Sequence, residues 1–185
     1  PSVTMNNVDI HNGDESLPYP AHYHSHYSAT KAEAERYVLA ANGRNGLVTT
    51  AIRPHLILGP RDNHLIPRLL DKARRGRLRQ IGPGTNKVSV VYVENAAHAH
   101  LLAADSDNVG GKAYFINEAE PLLLWPWINS MLVRLDLKPA RRKVPFTLAF
   151  QAGRVFEWLH RLLPFLGEPL VTRFLAAELY RNHYF

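Results

Sequence analysis

The sequence predicts an α/β fold with a mainly parallel sheet. Three observations carry this expectation. Helical and strand-like segments alternate from residue 22 to residue 136. The strand-like segments are short apolar or β-branched runs bounded by Pro, Gly and Asn. The 185 residues are enough for one ordinary core, and 46% hydrophobic with 21% charged residues is a globular balance.

Residues 1–20 are dense in turn formers and read as loop. From about His22 to Ala41 the stretch "SATKAEAERYVLAANG" is rich in helix formers, with Gly43 placed as a C-terminal cap. Leu47–Ile52 of "LVTTAIRP" reads as a buried strand ended by Pro54. "HLIPRLLDKARRG" is an amphipathic helix closed by Gly76. "RQIGPGTNKVSVVYV" holds two short strands around a Gly-Pro-Gly turn. "VENAAHAHLLAAD" is a third helix, "KAYFIN" a third clear strand and "LWPWINSMLVRLD" a fourth helix. After Pro139 the chain becomes rich in Leu and Phe, so a boundary is expected there, between 1–139 and 140–185. No internal repeat or low-complexity tract is present.

The chain has no cysteine, which excludes a disulfide scaffold and thiolate zinc sites and fits a reducing, cytoplasmic setting. The net charge of +6 is concentrated in "RRGRLR" at 74–79 and "ARRK" at 140–143. These clusters read as solvated helix ends or loops, and no nucleic-acid partner is expected. The chain begins with Pro1 and shows no signal-peptide pattern, so it reads as part of something longer.

Tyr27 and Lys31 carry the first chemical signal. On a helix, residues four apart share a face. A phenol, with its reference pKa near 10, is a poor base at neutral pH. A neighbouring ammonium stabilises the phenolate and brings its pKa down, which makes Tyr27 a candidate acid/base for a substrate alcohol. The spacing alone is common. Its context is more specific: the helix is followed by a strand ending in "RPHLILGPRD".

Three ordered stretches, "YSATKAEAERYVLAANG", "TTAIRPHLILGPRDNHLIPRLL" and "VVYVENAAHAHLLAA", resemble the C-terminal two-thirds of an extended short-chain dehydrogenase/reductase. Within that superfamily they are most similar to the 3β-hydroxysteroid dehydrogenase group, which includes sterol-4α-carboxylate 3-dehydrogenases and bacterial reductases of 2-alkyl-3-oxoalkanoates. The resemblance covers about residues 1–140. It implies the C-terminal part of a Rossmann-type sheet with interleaved substrate-binding elements in 1–139, and NAD or NADP as cofactor. It further implies Tyr27 as the catalytic acid/base, and Lys31 as the group that tunes Tyr27 and binds the nicotinamide ribose. Pro54 would end the strand beside the nicotinamide, with His55 and Leu56 lining that pocket through backbone. The Ser or Thr that holds the substrate oxygen would fall just before Pro1, leaving Ser2 as the nearest hydroxyl. A homodimer through the active-site helices is implied as well.

No Gly-rich phosphate-binding turn is present, and "GPGTNK" at 82–87 reads as a turn because Pro83 removes an amide donor. The chain is therefore expected to hold part of a site. Asp62 and Asn63, directly after "GPR", are candidates for the mouth of a substrate cleft, and Arg61 is suited to an anionic substrate group such as a carboxylate. His22, His24 and His26 have no third ligand in a convincing pattern, so no metal is expected. His98 and His100, two apart, read as packing or surface residues.

"VPFTLAFQAGRVFEWLHRLLPFLGEP" reads as a broadly apolar helix with one polar stripe, Gln151, Arg154, Glu157 and Arg161. It is expected to cap a large apolar substrate or to lie on a membrane surface. The predicted activity is interconversion of a secondary alcohol and ketone on a bulky apolar substrate, 3β-hydroxysteroid- or sterol-like. The alternatives are a long-chain β-keto acid, a nucleotide sugar, and a non-catalytic NAD(P)-sensing protein.

Overall fold

The computed structural model describes residues 2–5, 8–23, 25–63, 65–163, 165, 169 and 171–185. They form a mixed α/β fold that divides into two compact units interleaved along the chain. The first comprises 1–61, 89–121 and 183–185, the second 62–88 and 122–182. The change of composition near Pro139 thus falls inside the second unit.

The first unit contains helix α1 (His26–Ala40) and strands β1 (Ala51–Pro54) and β2 (Leu56–Leu58). Strand β5 (Val90–Tyr92), helix α3 (Val93–Ala104) and strand β6 (Ala113–Ile116) complete it. β1 pairs in parallel with β6, and β2 in parallel with β5, as the alternating pattern requires. Helix α1 starts at His26 rather than near His22. Ser25 is extended, and its hydroxyl accepts from the Ser28 amide at 3.1 Å, a side-chain N-cap that fixes the helix start. The strand predicted from Leu47 begins only at Ala51. Leu47 and Val48 are more than half exposed; the Thr49 amide and hydroxyl bond to the Asn42 side chain and the Val38 carbonyl, while its carbonyl accepts from the Gly111 amide at 2.7 Å. At the end of β2, Gly59 abuts α3 so closely that an added Cβ would come 2.4 Å from Val93.

His183–Phe185 is built into this unit. Ile10 forms a parallel bridge with His183, and Ser89 donates its amide to the His183 carbonyl at 3.1 Å. The Phe185 amide donates to the Ser89 hydroxyl at 3.1 Å, and its ring packs on His55 and Phe115.

The second unit holds helix α2 (Leu65–Arg74) and strands β3 (Gln80–Ile81) and β4 (Lys87–Val88). It continues through β7 (Leu122–Leu123), α4 (Leu124–Arg134), β8 (Lys143–Val144), α5 (Phe146–Leu162) and α6 (Arg173–Glu178). Its core includes Trp125, Ile128 and Leu132 of α4, each nearly inaccessible. The indole N–H of Trp125 donates to the Leu179 carbonyl at 2.8 Å, so the buried ring leaves no polar atom unmet. β3 pairs in parallel with β8, while β4 pairs antiparallel with β7. The Gly-Pro-Gly turn between β3 and β4 is filled from inside: the Gln80 amide donates to the Gly82 and Pro83 carbonyls at 3.2 and 2.7 Å. That plug leaves the turn no concavity for a phosphate.

Helix α5 packs through small residues. Ala149 and Gly153 are its buried positions, and a Cβ on Gly153 would lie 2.7 Å from the Arg173 amide nitrogen. Glu157 completes the joint, accepting from the Arg173 amide and from its Nε, both at 2.7 Å. Leu148, Val155, Trp158 and Leu162 of the same helix remain more than half exposed.

Candidate active site

Tyr27 and Lys31 lie one turn apart on α1, on one face and exposed. Neither the Tyr27 hydroxyl nor the Lys31 ammonium has a partner among the described residues. Both are thus open to a ligand from solvent.

The next residue on that stripe, Glu35, is nearly buried and carries a role the sequence reading missed. Its carboxylate accepts from Arg53 Nε at 3.0 Å and from Nη2 at 2.6 Å, a bidentate pair with both side chains under 10% exposed. Tyr19 donates its hydroxyl to Glu35 Oε1 at 2.5 Å, and Arg36 stacks 4.3 Å over the Tyr19 ring. Burial alone would raise the Glu35 pKa. The hydrogen bonds from Arg53 and Tyr19, with the charges of Arg53 and Arg36, outweigh burial and hold the carboxyl below its ordinary value. Arg53 lies on β1, so this pair ties the Tyr27–Lys31 helix to the strand that leads into Pro54 and His55. Lys31 and Glu35, four apart, look like a surface pair in the sequence. The cue to burial was Arg53, a charged residue inside an apolar strand.

Pro54 closes β1 opposite Ile116, and Leu56 opens β2 opposite Val90. Between them, His55 points inward: its Nε2 shares a hydrogen bond with Nδ1 of His183, the rings edge-on with centroids 4.7 Å apart. Burial, with His183 beside it, holds the His55 pKa well below its ordinary value, so the ring stays neutral. The His55 ring is thus engaged with His183 and Phe185.

Ser2 is half-buried in the turn at residues 2–4, and the neighbouring Val3 carbonyl accepts from the Tyr23 hydroxyl at 2.9 Å. That bond ties the segment to the residues just before α1. Arg61 is exposed at φ 67°, with no side-chain partner among the described residues. Asp62 caps α2, accepting from the Leu65 and Ile66 amides at 3.1 and 2.8 Å, with Asn63 exposed beside it in the second unit. His22 precedes α1 and His26 is its first residue, while His24 lies outside the described residues. Among the described residues no three His, Asp or Glu side chains gather as a metal site. His98 and His100 are exposed on α3.

Parallel strands joined through helices, with a Tyr-x-x-x-Lys helix tied to a strand that ends in proline, define an α/β protein of the Rossmann dehydrogenase type. A model of the 3-beta hydroxysteroid dehydrogenase/isomerase family matches residues 2–147, and the chain belongs to that family. A 2-alkyl-3-oxoalkanoate reductase of Stenotrophomonas maltophilia is 44% identical over 177 residues, covering 94% of this chain and 53% of its own. A decarboxylating sterol-4-alpha-carboxylate 3-dehydrogenase of Mus musculus is 39% identical over 176 residues, covering 92% of this chain and 48% of its own. The chain spans about half the length of these relatives. Among solved structures, a dTDP-glucose 4,6-dehydratase of Streptomyces venezuelae with NAD bound superposes with a TM-score of 0.60 at 24% identity. It covers 75% of this chain and 44% of its own, and it shows the shared fold.

Proposed function

We propose that the intact protein is an NAD(P)-dependent oxidoreductase that interconverts a secondary alcohol and a ketone on a bulky apolar substrate. The observation that carries this reading is Tyr27 and Lys31 side by side and exposed, without partners among the described residues, on a helix anchored by the Glu35–Arg53 pair. The nicotinamide, when bound, accepts or supplies the hydride. Tyr27 takes the hydroxyl proton in oxidation and returns it in reduction. Lys31 stabilises the phenolate and holds a ribose hydroxyl. This donor set suits a nicotinamide riboside end: a phenol and an ammonium on one helix face, neither with a partner among the described residues. Residues 1–139 carry these cofactor-side groups.

The relatives' names share one chemical feature. A sterol 4-carboxylate dehydrogenated at carbon 3 and a 2-alkyl-3-oxoalkanoate both place the reacting carbon β to a carboxylate, next to a branched carbon. Arg61, exposed and without a side-chain partner among the described residues, suits that carboxylate, with Ser2 and Asn63 as lesser substrate contacts. Between the two branches, the 44% identity over nearly the whole chain favours the alkanoate as a second reading beside the sterol.

No helix among the described residues is long and apolar enough to cross a membrane. The exposed apolar ridge of α5, flanked by exposed Arg154 and Arg161, supports a peripheral contact with a membrane surface. Exposed Tyr37 and Val38 support pairing of two copies through α1. The test follows reduced nicotinamide by absorbance in the intact protein, offered a 3β-hydroxysteroid, its 4-carboxylate and a 2-alkyl-3-hydroxyalkanoate, each with NAD and NADP. Turnover on either carboxylate that weakens in Arg61→Ala through KM supports the reading. Cofactor binding without turnover on any substrate contradicts it.

A further inference from the structure

The two arginine-rich stretches at 74–79 and 140–143 are far apart in sequence and read there as separate solvated ends. In the second unit they line one open pocket of about 920 Å³. Arg74, Arg75, Arg79, Lys138, Arg141 and Arg142 line it with a single carboxylate, Asp136. Two of these cations are committed elsewhere. Arg75 Nε donates to Asp71 at 2.8 Å, and Arg79 Nη1 donates to the Gly76 and Leu78 carbonyls at 2.7 and 3.0 Å. The side chains of Arg74, Lys138, Arg141 and Arg142 are exposed and have no acceptor among the described residues.

The walls are fixed by backbone bonds. The amides of Arg77 and Leu78 donate to the Lys72 carbonyl at 2.8 and 3.0 Å, turning the chain back at the end of α2. On the other wall the Leu137 amide donates to the Leu132 carbonyl at 2.9 Å, and the Ala140 amide to Asn129 Oδ1 at 2.8 Å. Leu78 and Ala140, both buried, give the pocket an apolar floor. Four unpaired cations in one concavity repel one another and focus a positive potential, an arrangement that an anion relieves. Guanidinium forks match phosphate oxygens two at a time. The lining contains no aromatic side chain, so the stacking platform that a nucleic-acid strand needs is missing. The volume suits a small ligand. The pocket lies at the far end of α2 from Asp62 and Asn63, about 15 Å away at 1.5 Å per residue.

We propose that this pocket binds a ligand carrying at least two phosphate groups, either a phospholipid headgroup or a free phosphate ester. The experiment uses the intact protein with two probes at low ionic strength. One is inorganic pyrophosphate, titrated calorimetrically. The other is phosphatidylcholine vesicles with and without cardiolipin, measured by co-sedimentation. Saturable one-to-one binding of pyrophosphate, or cardiolipin-dependent sedimentation, is expected. Arg141→Glu/Arg142→Glu should weaken it at least about tenfold, while Arg44→Glu, in the first unit, leaves it unchanged. Arg74→Gln, which keeps size and polarity, should weaken it in the same direction, with thermal unfolding of each variant confirming the fold. Pyrophosphate binding without cardiolipin-dependent sedimentation indicates a free phosphate ester, and cardiolipin-dependent sedimentation that the pocket variants lose and that pyrophosphate displaces indicates a headgroup. Binding to neither probe, or equal loss in Arg44→Glu and the pocket variants, would overturn the proposal.

Discussion

Replacing Glu35 by Gln tests the anchor beneath the Tyr27 helix. Glu35 and Arg53 have side-chain exposures of 8% and 6%, so the charge left behind cannot reach water. The Gln amide keeps one acceptor for Arg53 and turns a donor towards its second N–H. Breaking a buried pair from one side costs about 3–5 kcal/mol, because the remaining charge is uncompensated. For a protein of this size each kcal/mol moves the melting temperature by about 2–4 °C, so a drop of roughly 6–20 °C is expected. Glu35→Leu with Arg53→Met removes both charges and should recover most of that loss. Thermal unfolding of the intact protein by circular dichroism reads all three. A loss under about 1 kcal/mol in Glu35→Gln, or no recovery in the double variant, would refute the reasoning.

The same pair sets an acid limit. Glu35 has a folded-state pKa below its usual 4.5, so the unfolded chain binds the proton first as pH falls. Its contribution is complete above about 4.5 and is lost as pH drops through the folded value; the wild-type advantage over Glu35→Gln should shrink over that range. His55 acts at higher pH. Its folded pKa lies well below 6.5, so stability should fall as pH drops below about 6.5, by up to 1.4 kcal/mol per unit. His55→Leu should flatten that slope in denaturant titrations at several pH values. Trp125→Ala should cost about 3–5 kcal/mol in the same titrations, because a fully buried indole and its bond to Leu179 are both lost.

The alternating elements were legible because helical periodicity and β-branched runs are local signals. The Tyr27–Lys31 helix could be found for the same reason, and its resemblance to a family supplied the chemistry. The sequence was misleading where tertiary partners decide. Leu47 and Val48 have strand composition, but the Thr49 amide and hydroxyl bond to Asn42 and Val38, and the Leu47 carbonyl accepts from the Gly43 amide, so the segment turns back on the end of α1 before β1 begins. Strands β7 and β8 are two residues each, too short to show a period. Nothing local in His183–Phe185 announces that Ile10 and Ser89 hold it in the first unit. Glu35 looked like half of a surface pair with Lys31, because nothing local announces that Arg53 takes its carboxylate.

The most direct test of the account is Tyr27→Phe in the intact protein, with turnover and cofactor affinity measured on the same preparation. The variant removes one hydroxyl and leaves the ring, the helix and Lys31 in place. The account predicts a fall in kcat of about 100-fold or more with cofactor binding nearly unchanged. Turnover within about twofold of wild type would show that Tyr27 does not move the proton, and would contradict the account.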